Sequence, residues 1–215
     1  MYFEINGKRV LFIHIPKTGG TTVEYTLFEH IDEKFRKLLN YPKDFREGSK
    51  ITLRRGIKGH NGQHLTLHQI FYKLQLKKPQ KIDYIFAIAR NPYTRFISEV
   101  NWREISPDET IKFIKANPKN PHSRTQRSYI NTRKKHKVKI FKYEETLTDI
   151  LQTVLKKLNS EFVYKESFHQ LATKKYTLND LTPKHIKFIK KYYAKDFETF
   201  GYSNDIEALR RNLMR

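Results

Sequence analysis

Val10-Leu11-Phe12-Ile13-His14-Ile15-Pro16-Lys17-Thr18-Gly19-Gly20-Thr21-Thr22 is an apolar run that stops at a proline, turns through a lysine and two glycines, and opens into threonines suited to a first helical turn. Ile85-Phe86-Ala87-Ile88-Ala89-Arg90-Asn91-Pro92-Tyr93-Thr94-Arg95-Phe96-Ile97-Ser98 repeats the plan with an arginine at the end of the run. Apolar runs of this kind suit strands buried on both faces of a parallel sheet. Ligands of such sheets collect beyond the carboxyl ends of the strands. Two anion sites are therefore expected side by side.

Outward from the first run, Val23, Leu27, Phe28 and Ile31 recur at helical spacing, so the order is strand, loop, helix. Residues 32–61 are turn-rich and receive no firm element. Leu67, Ile70, Phe71 and Leu74 predict a helix within 65–76 that leads into a strand at Tyr84–Ala89. Asn91 is the expected cap of the next helix, with Pro92 where a first turn tolerates it. Ser106-Pro107-Asp108-Glu109 reads as a capping box opening a helix that ends near Asn117-Pro118. A third strand is expected at Val138–Tyr143. Leu147, Ile150, Leu151, Val154, Leu155 and Leu158 then mark a core-facing helix, and Thr182-Pro183 starts another through Ile186, Ile189 and Tyr193.

The chain of 215 residues can hold one domain with a sizeable core, and no Pro/Gly/Ser-rich linker divides it, so a single domain over 1–215 is expected. It contains no cysteine, which excludes disulfides and thiolate metal sites and fits a reducing compartment. The apolar run Val10–Ile15 is too short to cross a bilayer and the first nine residues do not form a signal peptide, so a soluble, cytoplasmic location is expected. Forty-three Lys and Arg against 22 Asp and Glu leave a formal charge of +21. No acidic residue lies between Glu109 and Glu144, where Lys112, Lys115, Lys119, Arg124, Arg127, Arg133, Lys134, Lys135, Lys137, Lys139 and Lys142 fall. That stretch is either a solvated basic face or a docking surface for an anionic ligand.

Gly19 and Gly20 allow successive backbone N–H groups to converge at the positive end of the following helix, so the loop favours a phosphate or sulfate. Lys17 supplies a point charge, and Thr18, Thr21 and Thr22 supply hydroxyls. The nucleoside triphosphatase loop is different, since there lysine follows the glycines. No strand ending in an acidic metal ligand is evident either, which disfavours a magnesium-dependent kinase. At the second turn the Arg90 fork can grip a phosphate at two points, with Ser98 two turns into the helix completing the grip. The alternative is that Arg90 pairs with a carboxylate and Ser98 faces water.

Together these segments resemble sulfotransferases that use 3′-phosphoadenosine-5′-phosphosulfate (PAPS), in particular the group of heparan sulfate 2-O- and 6-O-sulfotransferases and their bacterial relatives. Ile15–Thr22 is similar to that family's 5′-phosphosulfate loop, and Arg90–Ser98 to its 3′-phosphate segment with the same eight-residue step. Tyr192-Tyr193-Ala194-Lys195-Asp196 through Phe200-Gly201-Tyr202 is similar to its ending. The resemblance implies an α/β, P-loop-like three-layer fold with a central parallel sheet flanked by helices. It implies that Lys17 contacts the phosphosulfate bridge, that Thr18, Gly19, Gly20, Thr21 and Thr22 bind the 5′-phosphate, and that Arg90 and Ser98 hold the 3′-phosphate, with no metal required.

An acceptor hydroxyl needs a base that titrates near neutrality, for which histidine is the usual choice. His60, His64 and His68 precede the second strand. The family's catalytic histidine stands shortly before a helix here, and His64 is the nearest match, with His60 as the other candidate and neither as a third possibility. Their four-residue spacing is also compatible with metal ligation, although Gly62 weakens the helix this needs and no carboxylate joins them. His14 reads as a satisfied residue at the sheet end. Pro121–Arg127 resembles a segment bordering the acceptor, which makes Arg124, Gln126 and Arg127 candidate substrate contacts unless they belong to the basic face. The expected activity is sulfuryl transfer from PAPS to a hydroxyl, with a saccharide or acidic polysaccharide as acceptor. Tyrosine- or lipid-directed transfer remains open. Two other classes remain as alternatives. One is a kinase-like phosphotransferase. The other is a basic nucleic-acid-binding protein, which no nucleic-acid signature supports.

Overall fold

The computed structural model describes residues 2–33, 64–73, 82–131, 137–161 and 175–213. Their contacts divide the chain into two compact units, residues 1–89 with 129–165 and residues 90–128 with 166–215.

The first unit is built on a four-stranded sheet in the order β1 (Tyr2–Ile5), β2 (Lys8–Ile13), β3 (Tyr84–Ala89), β4 (Lys139–Lys142). β2, β3 and β4 run parallel, pairing Phe12 with Phe86 and Ile88 with Phe141. β1 is antiparallel to β2, so the expected parallel sheet is in fact mixed. The cause is local. Asn6 and Gly7 have φ of 49° and 71°, the pair of positive values that a tight hairpin turn requires. The Asp32 carboxylate fixes that turn by accepting from the N–H groups of Asn6 and Gly7 at 2.9 and 3.0 Å.

Side-chain alternation sends the sheet's two faces into separate cores. Val10, Phe12, Phe86, Ile88 and Phe141 pack with Val23 and Leu27 of α1 (Gly20–Phe28) and with Ile150, Leu151, Val154 and Leu155 of α6 (Leu147–Lys157). Leu11, Ile13, Ile85 and Ala87 pack with Leu67 and Ile70 of α2 (Leu67–Lys73) and with Tyr129. The result is the α/β arrangement expected, a sheet between two layers of helix. Each fully buried Leu, Ile or Phe contributes about 1.5–3 kcal/mol to it.

The second unit is helical among its described residues. α3 (Pro92–Arg103) and α4 (Pro107–Ala116) open this unit, the short turn α5 (Arg127–Ile130) spans the boundary, and α7 (Pro183–Tyr192), α8 (Ala194–Phe200) and α9 (Ile206–Leu213) complete it. Tyr93, Phe96, Val100, Ile111, Ile114, Ile189, Tyr193, Phe197 and Ile206 form its core. The caps follow the sequence. Asn91 accepts from the Tyr93 N–H at 3.0 Å, and Ser106 with Glu109 forms the capping box. Periodicity does not mark α8, because it has only two turns and its stripe includes a buried Asp196. No helix among the described residues is long and apolar enough to cross a membrane.

Candidate active site

In the first unit the chain leaves β2 at Ile13 and reaches α1 through His14–Gly19. The Thr18 hydroxyl is fully buried and donates to the Ile15 carbonyl at 2.9 Å, closing the turn. The hydroxyl proton is thereby used within the loop. Lys17 and Gly19 adopt left-handed backbone, with φ of 67° and 79°. For lysine that conformation is costly by about 1–2 kcal/mol, and it aims the residue where an ordinary turn would not. At Gly19 the left-handed backbone by itself favours glycine. A β-carbon there would also lie 2.8 Å from Leu147 Cδ1 and 3.0 Å from Tyr143 Cε2. A β-carbon on Gly20 would run into the imidazole of His14. The first turn of α1 carries no acidic residue, and Thr21 and Thr22 are half-buried within it, so its N–H groups meet no competing carboxylate of that turn.

His14 is held from behind. Its Nδ1 lies 2.9 Å from Glu24 Oε1, both side chains being almost wholly buried. A carboxylate accepts, so Nδ1 carries the hydrogen, and the Nε2 edge of the ring is turned toward Gly20. Glu24 was missed at the sequence level, although it is flanked by Val23 and Leu27 on the buried face of α1. An acid inside an apolar stripe is the signal that would have found it.

His64 stands three residues before α2. Its ring meets the His14 ring edge-on at 4.6 Å, and its Nδ1 lies 3.3 Å from the His14 carbonyl oxygen. A carbonyl only accepts, so Nδ1 donates and Nε2 is left as the basic nitrogen of His64. His64 is thereby in contact with the residue that covers Gly20. His68 is exposed on α2, and His60 lies outside the described residues. Among the described residues no three His, Asp or Glu side chains group as metal ligands.

In the second unit Arg90 is held by both its side chain and its backbone. Its Nε donates to Thr94 Oγ1 at 3.2 Å, and Thr94 in turn donates to the Asn91 carbonyl at 3.1 Å. Ser98 is half-buried and lies four residues beyond Thr94, hence on the same face of α3. Gln126 Oε1 accepts from the Arg90 N–H at 2.9 Å, and Gln126 Nε2 donates to the Arg90 carbonyl at 2.7 Å. Gln126 is fully buried behind the Arg90 backbone. The Asp196 carboxylate accepts from the N–H groups of Gln126 and Arg127, each at 2.8 Å. Burial pushes the Asp196 carboxyl above the usual range, against the Arg127 N–H bond, the Arg95 charge and the Gln126 bonds. Arg124 is half-buried and donates from Nε to the Lys119 carbonyl, while the Arg127 side chain is half-buried.

The structure thus places a lysine-led glycine turn at a helix head and an arginine fixed at a strand end. The model described as the sulfotransferase family matches residues 3–147, a span that runs from β1 through both elements and Gln126. The chain belongs to the sulfotransferase family. No curated protein and no solved structure gives a significant match. The activity of this sulfotransferase is therefore transfer of a sulfuryl group. Asp196 lies beyond the matched residues.

Proposed function

We propose that this sulfotransferase uses PAPS as donor and a saccharide hydroxyl, carried on an acidic glycan, as acceptor. The donor set suits that molecule: a first turn without acids and a lysine for one end, a braced guanidinium and a serine for the other. Lys17 with the N–H groups of residues 18–22 takes the 5′-phosphosulfate, Thr18 serving through its backbone. Arg90 and Ser98 take the 3′-phosphate. Residues 1–215 act as one sulfotransferase domain.

Bound PAPS supplies the sulfuryl group. His64 Nε2 accepts the proton of the acceptor hydroxyl as the new oxygen–sulfur bond forms. Lys17 and the loop N–H groups stabilise the negative charge that grows on the departing phosphate oxygen, in the way of preorganised donors. The products are a sulfate ester, 3′,5′-bisphosphoadenosine and a protonated His64. The observation that carries the reading is the contact of His64 with His14, which brings a histidine of defined tautomer to the glycine turn.

The test is incubation with PAPS carrying labelled sulfate and a panel of acidic and neutral glycans. Lys17→Ala is expected to lower turnover about 100- to 1,000-fold. His64→Ala is expected to lower it about 100- to 10,000-fold while leaving 3′,5′-bisphosphoadenosine affinity unchanged. Full transfer by the His64 variant would remove it as the base, and label on none of the glycans would remove the acceptor class.

A further inference from the structure

The strongest unexplained geometry in the second unit is a buried chain of hydrogen bonds that ends on a single backbone position. Arg90 follows a strand end, where its N–H and C=O must find partners outside a ladder. A glutamine amide is the side chain that offers one acceptor and one donor in a fixed plane, and Gln126 gives both to Arg90, at 2.9 and 2.7 Å. Gln126 is itself fixed by Asp196, whose carboxylate takes the N–H groups of residues 126 and 127 at 2.8 Å each. Both Gln126 and Asp196 are fully buried, so neither reaches a ligand directly. On the far side, Thr94 takes Arg90 Nε and sets the direction of the guanidinium.

We propose that Asp196 and Gln126 are positioning residues for recognition of the donor's 3′-phosphate, acting through the backbone of Arg90. The inference rests on the assignment of Arg90 to that phosphate. Arg90 meets its ligand at the end of a long side chain, and a small rotation of its backbone displaces the guanidinium by a distance that breaks a two-point contact. Gln126 removes that freedom, and Asp196, 70 residues further along, holds Gln126 against α8. The effect is specific: it concerns the 3′-phosphate and leaves the rest of the nucleotide alone.

The experiment compares 3′,5′-bisphosphoadenosine with 5′-AMP, which lacks the 3′-phosphate, by calorimetric titration of the full chain. Arg90→Ala is expected to weaken the bisphosphate about 100-fold and 5′-AMP less than twofold. Gln126→Glu keeps the acceptor for the Arg90 N–H but loses the donor for its carbonyl. It is expected to weaken the bisphosphate about tenfold and spare 5′-AMP, with little further loss when combined with Arg90→Ala. Asp196→Asn is expected to follow the same pattern, and if it fails to fold, Gln126→Glu carries the test alone. Equal weakening of both nucleotides by Gln126→Glu, or no change in their ratio, overturns the positioning role. An unchanged ratio in Arg90→Ala overturns the 3′-phosphate assignment itself, so the two failures are distinguishable.

Discussion

At Gly20 a single missing methyl group joins the glycine turn to the histidine behind it. The His14 ring occupies the volume that a β-carbon would take, and Glu24 prevents the ring from swinging aside. Gly20 itself has an ordinary helical backbone, so alanine there would otherwise improve the helix. Gly20→Ala is therefore expected to destabilise the protein by about 1–3 kcal/mol through overpacking alone. In a His14→Ala background the same change is expected to cost close to nothing. The His14→Ala change has its own penalty, because buried Glu24 loses the hydrogen bond from His14, at about 1–3 kcal/mol. Denaturant unfolding of the four proteins in this cycle measures the coupling, expected at about 1–3 kcal/mol. Additive effects would mean that the ring does not determine the need for glycine.

At the scale of elements, α3 is tied to the segment before α5 by a buried carboxylate. Glu99 Oε1 lies 2.6 Å from Arg103 Nε and Oε2 lies 2.8 Å from His122 Nδ1, with His122 stacked on Trp102 at 4.4 Å. Burial works to raise the Glu99 pKa, but the His122 hydrogen bond and the charges of His122, Arg103 and Arg95 outweigh it, and the net direction is downward from 4.5. A carboxyl whose folded-state pKa lies below its unfolded value stabilises the fold above that unfolded value, and the stabilisation is lost as pH falls through the folded one. Glu99→Gln is expected to cost about 3 kcal/mol at pH 7. Its deficit relative to the parent should narrow progressively below about pH 4.5, read from thermal melts across pH 7 to 3. A deficit independent of pH would mean that the shape of the side chain matters and its charge does not.

The same scale shows what the sequence makes legible. β2, β3 and α6 are readable because burial on one or both faces writes a run or a stripe directly into the residues, and Asn91 and Ser106 are readable because caps act over three residues. The β1 hairpin is only faintly written, by Asn6-Gly7 alone, since β1 has four residues and contains Glu4. The loop at Lys17 and the arginine at the strand end were found from residue type and spacing. What holds them was not, because Asp196 meets Gln126 across 70 residues and His64 meets His14 across 50. No local pattern encodes such pairs.

For the molecule as a whole, a charge of +21 fixes how an acidic acceptor should bind. The acid-free stretch between Glu109 and Glu144 includes Lys112, Lys115 and Lys119, all exposed, and Lys137 and Lys139, also exposed. Exposed charges are screened over about 8 Å at physiological ionic strength. Contacts between such lysines and a polyanion also release condensed counterions, which makes affinity fall as a power of salt concentration. For an acidic oligosaccharide making three lysine contacts, KM is expected to rise about 20-fold from 50 to 200 mM salt, by the slope of a single-stranded polyanion. The slope should steepen with acceptor length, while KM for a neutral saccharide changes less than twofold. Steady-state kinetics with labelled donor at four salt concentrations measures this. A flat response for the acidic acceptor would show that the basic stretch only solvates the protein, whereas a steep one lost on changing Lys112, Lys115 and Lys119 to glutamine would locate the docking surface at α4 and the residues after it.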